Sequence, residues 1–440
     1  MSATIAAIAT GPAPGGIGII RLSGPLALEA GRAVAVAADL PTELEPRRAY
    51  LTRLSARDGA LLDEGLLLWF PAPHSYTGED VVELHAHGSP RLLSVLLAEL
   101  LRDDRLRLAS PGEFSRRAYL NGRMDLARAE AVADLVAAQS EAAARAAAAS
   151  LRGALSDRVQ AVRRPLLALH ADLEGVLNFP DEAEGAEDGA APRVRALAEE
   201  AAALLASAGA GQLVRRGAKV ALYGPVNAGK STLFNKLAGE ARALVHPDPG
   251  TTRDVLEATV ELGGLPVCWQ DTAGLRAEAG AVEALGVEQA RRAVRGADLA
   301  VLLLSPDARP EALGAWVAEA GPTPVLQVRG KADLPGSANG ELAVSGQTGE
   351  GVEALQQAVR QRLLGDGVAV GVLAASERQV EAIRRASEAL QRAAAAVEAS
   401  TLEVVSGELG LALEALGQVT GESATQALLD EVFRRFCIGK

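Results

Sequence analysis

Gly224-Pro225-Val226-Asn227-Ala228-Gly229-Lys230-Ser231 follows the pattern G-x-x-x-x-G-K-[ST], directly after the apolar run 220–223 and before a helical stretch at 232–237. Glycines in such a turn let backbone N–H groups point at a phosphate, and the helix N-terminus adds positive potential. On this reading Asn227, Ala228, Gly229, Lys230, Ser231 and Thr232 cradle a nucleotide. Lys230 reaches the β- and γ-phosphates, and Ser231 offers its hydroxyl to Mg2+. Asp271-Thr272-Ala273-Gly274 ends a second apolar strand. An aspartate there holds the water shell of Mg2+, and the Gly274 N–H senses the γ-phosphate. Between the two motifs, Gly250-Thr251-Thr252 occupies a loop in which Thr252 can ligate Mg2+ only while the γ-phosphate is present, the physical basis of a switch.

Base choice falls to Gly330-Lys331-Ala332-Asp333 after a later strand, where N-K-x-D is the usual guanine signature. Asp333 can accept the two guanine N–H protons that adenine lacks, and the Lys331 stem can cover the base. Gly330 in place of Asn removes an amide contact, which predicts weaker GTP affinity with GTP still preferred over ATP. Ser345-Gly346-Gln347 stands where Ser-Ala-Lys is common. Leu275 stands where Ras-type enzymes carry the water-orienting Gln. Spacing leaves that task open among Glu278, Glu283 and Glu288, with Arg276 nearby.

These motifs need a scaffold, and the 440 residues allow two or three domains. Aromatic residues are only 3%, so the cores must be built from Ala, Leu and Val. Short apolar runs with Gly and Pro predict a compact α+β domain over the first stretch, including strands at 66–70 and 81–85 and a helix at 90–101. From 125 to 177 an alanine-rich pattern predicts long helix, followed by an acidic loop at 180–192 and a second helix at 193–208. Strand–helix alternation from 219 to about 365 predicts a doubly wound parallel sheet, and 375–436 reads as helical again. The expected organisation is 1–119, an N-terminal α+β domain; 120–212, the first half of an all-helical domain; 213–368, an inserted Ras-like nucleotide domain; and 369–440, the second helical half.

Several function classes drop out. No run reaches the roughly 18 to 20 apolar residues of a membrane span. Two cysteines, Cys268 and Cys437, build no disulfide framework, so a reducing, cytoplasmic setting is expected. A net charge of −12 argues against broad nucleic-acid binding by charge alone. Lysine occurs only five times, and Lys230, Lys331 and Lys440 fall within motifs. His85 and His87 lack a third ligand nearby in sequence and read as hydrogen-bonded structural residues.

The chain also carries Ile17-Gly18-Ile19-Ile20-Arg21-Leu22-Ser23-Gly24, Ser75-Tyr76-Thr77-Gly78-Glu79-Asp80, Pro111-Gly112-Glu113-Phe114-Ser115-Arg116-Arg117-Ala118-Tyr119-Leu120-Asn121-Gly122-Arg123 and Cys437-Ile438-Gly439-Lys440. With the nucleotide motifs, these resemble from end to end the tRNA-modification GTPases of the MnmE (TrmE) family. The resemblance implies a homodimer held by folate-binding-like N-terminal domains and a FAD-containing MnmG-type partner, in a heterotetramer. Such complexes place an aminomethyl or carboxymethylaminomethyl group on C5 of the wobble uridine of tRNA. The one-carbon unit comes from a tetrahydrofolate derivative (5-formyl- or methylene-), and GTP is hydrolysed.

The resemblance also assigns residues. Glu283 matches the glutamate that orients the attacking water. Asn227 matches a potassium-ligating asparagine, and the loop His246-Pro247-Asp248-Pro249-Gly250-Thr251 would complete the K+ cage, with His246, Asp248 and Thr251 among its ligands. Arg21, Glu79, Arg123 and Lys440 match folate-binding positions, Arg123 keeping the charge of the family's usual lysine. Cys437, beside Lys440, is a candidate reactive thiol. The alternative, on the same nucleotide motifs, is a regulatory GTPase that assembles RNA–protein particles.

Overall fold

The computed structural model describes residues 3–138, 140–179, 189–240, 256–272, 281–306, 310–334, 342–365 and 373–440. The chain divides into two compact units. One is Met1–Ala133 with Leu151–Arg163 and Gly410–Lys440; the other is Asp134–Ser150 with Arg164–Leu409.

In the first unit, β1 (Thr4–Ile8), β2 (Gly15–Ser23), α1 (Ala27–Val34), β3 (Ala49–Ser55), β4 (Leu61–Phe70), β5 (Val81–Gly88), α2 (Pro90–Leu100), β6 (Leu106–Leu108) and α3 (Glu113–Leu120) form an α+β fold. The six-stranded sheet runs β3-β4-β5-β2-β1-β6 and is antiparallel except between β1 and β6. Alternation along β2 decides which residues face which way. Ile20 and Leu22 enter a core with Val34 of α1 and Leu93 and Leu96 of α2. Arg21, between them, points to the opposite face, where its guanidinium meets Phe114 at the start of α3.

Helices follow: α4 (Leu126–Ala137), α5 (Glu141–Leu151), α6 (Ala154–Asn178) and α7 (Ala190–Arg216). The long helix expected over 125–177 is therefore three. Ser140 starts α5, its Oγ accepting the Ala143 N–H at 3.1 Å. Gly153, at φ +108°, turns the chain between α5 and α6, a conformation alanine would resist. Alanine-rich composition hid both stops.

The second unit holds β7 (Ala218–Tyr223), α8 (Lys230–Glu240), β8 (Leu256–Leu262), β9 (Leu265–Asp271), α9 (Ala281–Arg295), β10 (Leu299–Leu304), α10 (Pro310–Glu319), β11 (Val325–Gly330), β12 (Ala343–Val344) and α11 (Val352–Leu364). The sheet order is β12-β11-β10-β7-β9-β8. Central β10 is buried at every position, as a strand covered on both faces must be. Five strands are parallel, as the alternation predicts, but β8 is an antiparallel edge strand joined to β9 by a hairpin. Its two-residue turn is Gly263-Gly264, both at positive φ (+56° and +89°), the geometry such hairpins require.

α12 (Glu377–Ala396), α13 (Leu402–Thr420) and α14 (Gln426–Arg434) complete the chain, α12 packing along α7. No helix among the described residues is long and apolar enough to cross a membrane.

Candidate functional site

The turn from β7 into α8 needs three unusual backbone conformations in quick succession. Gly224 and Gly229 take φ of +135° and +98°, and Asn227 takes +64°, which asparagine tolerates better than most residues. Lys230 is 8% exposed and folds over the loop, donating to the carbonyls of Gly224 (3.0 Å) and Pro225 (2.7 Å). Ser231 and Thr232 are exposed on the first turn of α8. The β7–β9 register sets Asp271 opposite Leu222, two residues before the loop begins. Asp271 is fully buried there, and Thr272 ties the same strand ends together, its Oγ1 donating to the Leu222 carbonyl at 2.8 Å. An N-terminal helix turn, an ammonium, an exposed hydroxyl and a carboxylate are thus gathered at the C-terminal ends of parallel strands, where ligands bind in open α/β sheets.

Beside this loop lies a cavity of about 270 Å³ whose walls include Ala228, Gly229 and Thr232 on one side and Gly330, Lys331 and Asp333 with Ser345, Gly346 and Gln347 on the other. The predicted base-binding segments therefore meet the phosphate loop across one space. Pairing of Gly330 with Val344 and an Ala332 N–H to Val344 carbonyl bond (3.1 Å) hold the two base-side segments together. The Ser345 hydroxyl caps its own turn, accepting the N–H groups of Gln347 (3.2 Å) and Thr348 (3.1 Å).

In the first unit, cross-strand pairing sets Arg21 opposite Glu83, and the two side chains form an ion pair at 2.9 Å. The Arg21 guanidinium lies 5.5 Å from the Tyr76 ring centre and 5.8 Å from that of Phe114, and it donates to the Gly439 carbonyl at 3.4 Å. Lys440 is the next residue, so Arg21 and Lys440 come close although 418 positions separate Arg21 from Gly439. Gly439 is buried against β1, where a Cβ would stand 2.4 Å from the Ile8 carbonyl oxygen. Glu79 accepts from Ser23 Oγ (2.8 Å) and from Arg117 (2.7 Å). Arg123 donates to the Ser75 carbonyl at 3.1 Å, and Ser75 Oγ donates to the Glu79 carbonyl at 2.5 Å. All four predicted folate positions are thus linked to one neighbourhood of β2, the 75–79 turn and the 437–440 segment.

Sequence reasoning missed Glu83, Arg117 and the rings of Tyr76 and Phe114 as companions of these residues. Tyr76, Phe114 and Arg117 sat inside the quoted motifs, whereas Glu83 becomes visible only once β2 and β5 are paired. Arg117 also donates to Glu113 at 2.8 Å, and Arg107 donates to the same carboxylate. Burial pushes the Glu113 pKa up, but these guanidinium bonds and the Ser110 N–H prevail and hold it at about 2.

Several predicted residues lie outside the described residues: His246, Pro247, Asp248, Pro249, Gly250, Thr251, Thr252, Ala273 and Gly274. Glu283 belongs to α9, but its side chain also lies outside what is described. His85 bonds Glu83 at 3.2 Å and His87 bonds Asp63 at 2.8 Å. Each ring thus has a carboxylate partner, and among the described residues no group of three or more His, Cys, Asp or Glu is placed to hold a metal. Cys437 is exposed; Cys268 on β9 is half-buried, its thiol pushed up to about 11 by burial and the neighbouring Glu257.

A family model described as the TrmE N-terminus matches residues 4–123, and one described as the MnmE helical domain matches 126–437. The tRNA modification GTPase MnmE of Myxococcus xanthus (strain DK1622) is 60% identical over 440 residues, covering 100% of this chain and 99% of its own length. The protein of the same name from Xanthomonas campestris pv. campestris (strain 8004) is 43% identical over 451 residues, covering 100% and 99%. Among solved structures, the G domain of the T. maritima FeoB iron transporter is 25% identical, with a TM-score of 0.27, and covers 33% of this chain and 99% of that domain.

Proposed function

The chain belongs to the MnmE family of tRNA modification GTPases, and from that premise we propose how its residues serve the reaction. It hydrolyses GTP and acts in tRNA modification. The modification is the addition of an aminomethyl or carboxymethylaminomethyl group to C5 of the wobble uridine, carried out by a homodimer with a FAD-containing MnmG-type partner. The observation that carries the nucleotide reading is the cavity where the phosphate loop faces Gly330–Asp333 and Ser345–Gln347. Lys230 holds the β- and γ-phosphates, Asp333 accepts the guanine N–H groups, and Glu283 orients the attacking water.

The residues present suit the ions the family implies. The Ser231 hydroxyl and the Asp271 carboxylate are hard oxygen donors, which Mg2+ prefers, and Asn227 offers an exposed amide oxygen for K+. These cations supply positive charge where charge develops between the phosphates. The Arg21 neighbourhood suits a tetrahydrofolate derivative. A guanidinium over two aromatic rings, with Arg123 and Lys440 near, fits an anionic ligand that carries its own ring system. That ligand supplies the one-carbon unit.

Titration with a fluorescent GTP analogue in Mg2+ tests the nucleotide reading, and no binding sinks it. Hydrolysis is expected to run faster in K+ than in Na+ at equal ionic strength. Glu283→Ala is expected to keep GTP binding and lose turnover by about 10²-fold or more. Arg21→Ala is expected to lose binding of 5-formyltetrahydrofolate by calorimetry. Reconstitution with a MnmG-type partner, followed by mass analysis of tRNA nucleosides, tests the modification itself.

A further inference from the structure

Two departures from the usual guanine-recognition pattern, Gly330 where Asn is common and Gly346 where Ala is common, have a single physical cause. Neither has a positive φ, so backbone conformation does not demand glycine. Space does. A Cβ on Gly330 would lie 2.4 Å from the Ala228 carbonyl oxygen. One on Gly346 would lie 2.5 Å from the Leu233 nitrogen and 2.7 Å from the Thr232 carbonyl carbon. Each obstacle is backbone of the phosphate loop or of the first turn of α8, which cannot swing aside as the end of a side chain can. Gly224, where the loop begins, meets the same limit against the Leu303 carbonyl oxygen at 2.3 Å. The phosphate loop and α8 therefore rest directly, backbone against backbone, on both base-side segments of the cavity.

We infer that Gly330 and Gly346 are positioning residues of the GTP site: together they form a side-chain-free seat that fixes the span between the phosphate-binding loop and the guanine-binding segments. The inference rests on the nucleotide reading of this cavity. Close backbone packing ties the base strand to the phosphate loop, and Asp333 keeps the task of telling guanine from adenine. Returning asparagine to position 330 then does not restore a missing contact. It wedges the two halves apart.

The test uses the full-length protein in Mg2+, titrated with fluorescent GTP and GDP analogues and, by calorimetry, with inorganic tripolyphosphate. Gly330→Asn, Gly330→Ala and Gly346→Ala are each expected to weaken GTP and GDP binding by about tenfold, the scale of forcing extra carbons into a packed site. Tripolyphosphate engages the phosphate loop alone and is expected to bind variants and wild type alike. A purely structural defect would weaken both. The seat is overturned if Gly330→Asn binds GTP as tightly as wild type or more tightly, or if tripolyphosphate and GTP weaken in parallel. Circular dichroism reports folding, and the two alanine variants, each adding one carbon, decide the question if the asparagine variant does not fold. Wild-type protein that binds no GTP would instead sink the nucleotide reading.

Discussion

A single carboxylate can be drawn far from its ordinary chemistry by its neighbours, and Glu113 is the clearest instance. Burial favours its neutral form, yet bonds from Arg107, the Ser110 N–H and Arg117 favour the charged form more strongly. A depressed folded-state pKa contributes stability that is present above the ordinary value of 4.5 and is lost as pH falls through about 2. Glu113→Gln is therefore expected to destabilise the protein by about 2 kcal/mol near neutral pH. Its difference from wild type should shrink as pH falls between those two values. Urea melts at stepped pH check this, and a difference that ignored pH would assign the loss to packing instead. The cysteines give a second residue-scale test. Cys268 is half-buried with its thiol raised to about 11, while Cys437 is exposed. Iodoacetamide near neutral pH is expected to label Cys437 at least about tenfold faster, since the thiolate is the nucleophile. Mass mapping of the labelled peptides that found the reverse order would contradict the burial of Cys268.

At the scale of elements, α12 carries a complete capping box: Ser376 Oγ accepts the Gln379 N–H, and Gln379 Oε1 accepts the Ser376 N–H at 2.8 Å. Ser376→Ala is expected to lower stability by about 1 kcal/mol, read from urea melts, with GTP affinity unchanged. Elements also mark where sequence was easy to read and where it was not. The phosphate loop was legible because eight contiguous residues carry its whole mechanism. The parallel strands were legible because a strand buried on both faces, such as β10, is apolar throughout. β8 was overlooked because its signal, Gly263-Gly264, is a turn rather than a strand pattern. The breaks at Ser140 and Gly153 were overlooked because high helix propensity on either side says nothing about where a helix stops. The cavity was half legible: its segments could be named, but the closeness that excludes a Cβ at Gly330 and Gly346 exists only once β11 and β12 are packed beside α8.

At the scale of the whole molecule, residues near the two extremes of the numbering build one neighbourhood, and no sequence pattern announces it. Phe433 and Phe436 are buried with Leu126 and Ala129, which anchors the segment that follows α14. That anchor, together with the Gly112 N–H to Cys437 carbonyl bond (3.4 Å), delivers Gly439 to Arg21. Removing residues 437–440 leaves the aromatic anchor in place but takes away the Arg21 contact, the Lys440 charge and Cys437. Under the folate proposal, this truncation is expected to weaken 5-formyltetrahydrofolate binding by about tenfold or more, the scale of losing a charge-assisted contact and a nearby cation. GTP affinity should not change, because the nucleotide cavity is built wholly from residues of the Arg164–Leu409 unit. Calorimetry with the folate and fluorescence with the GTP analogue, on the same preparation, separate the outcomes. Loss of both would mean that the segment matters for folding. Loss of neither would remove Lys440 and Gly439 from the folate site and leave Arg21 to be tested by its own substitution.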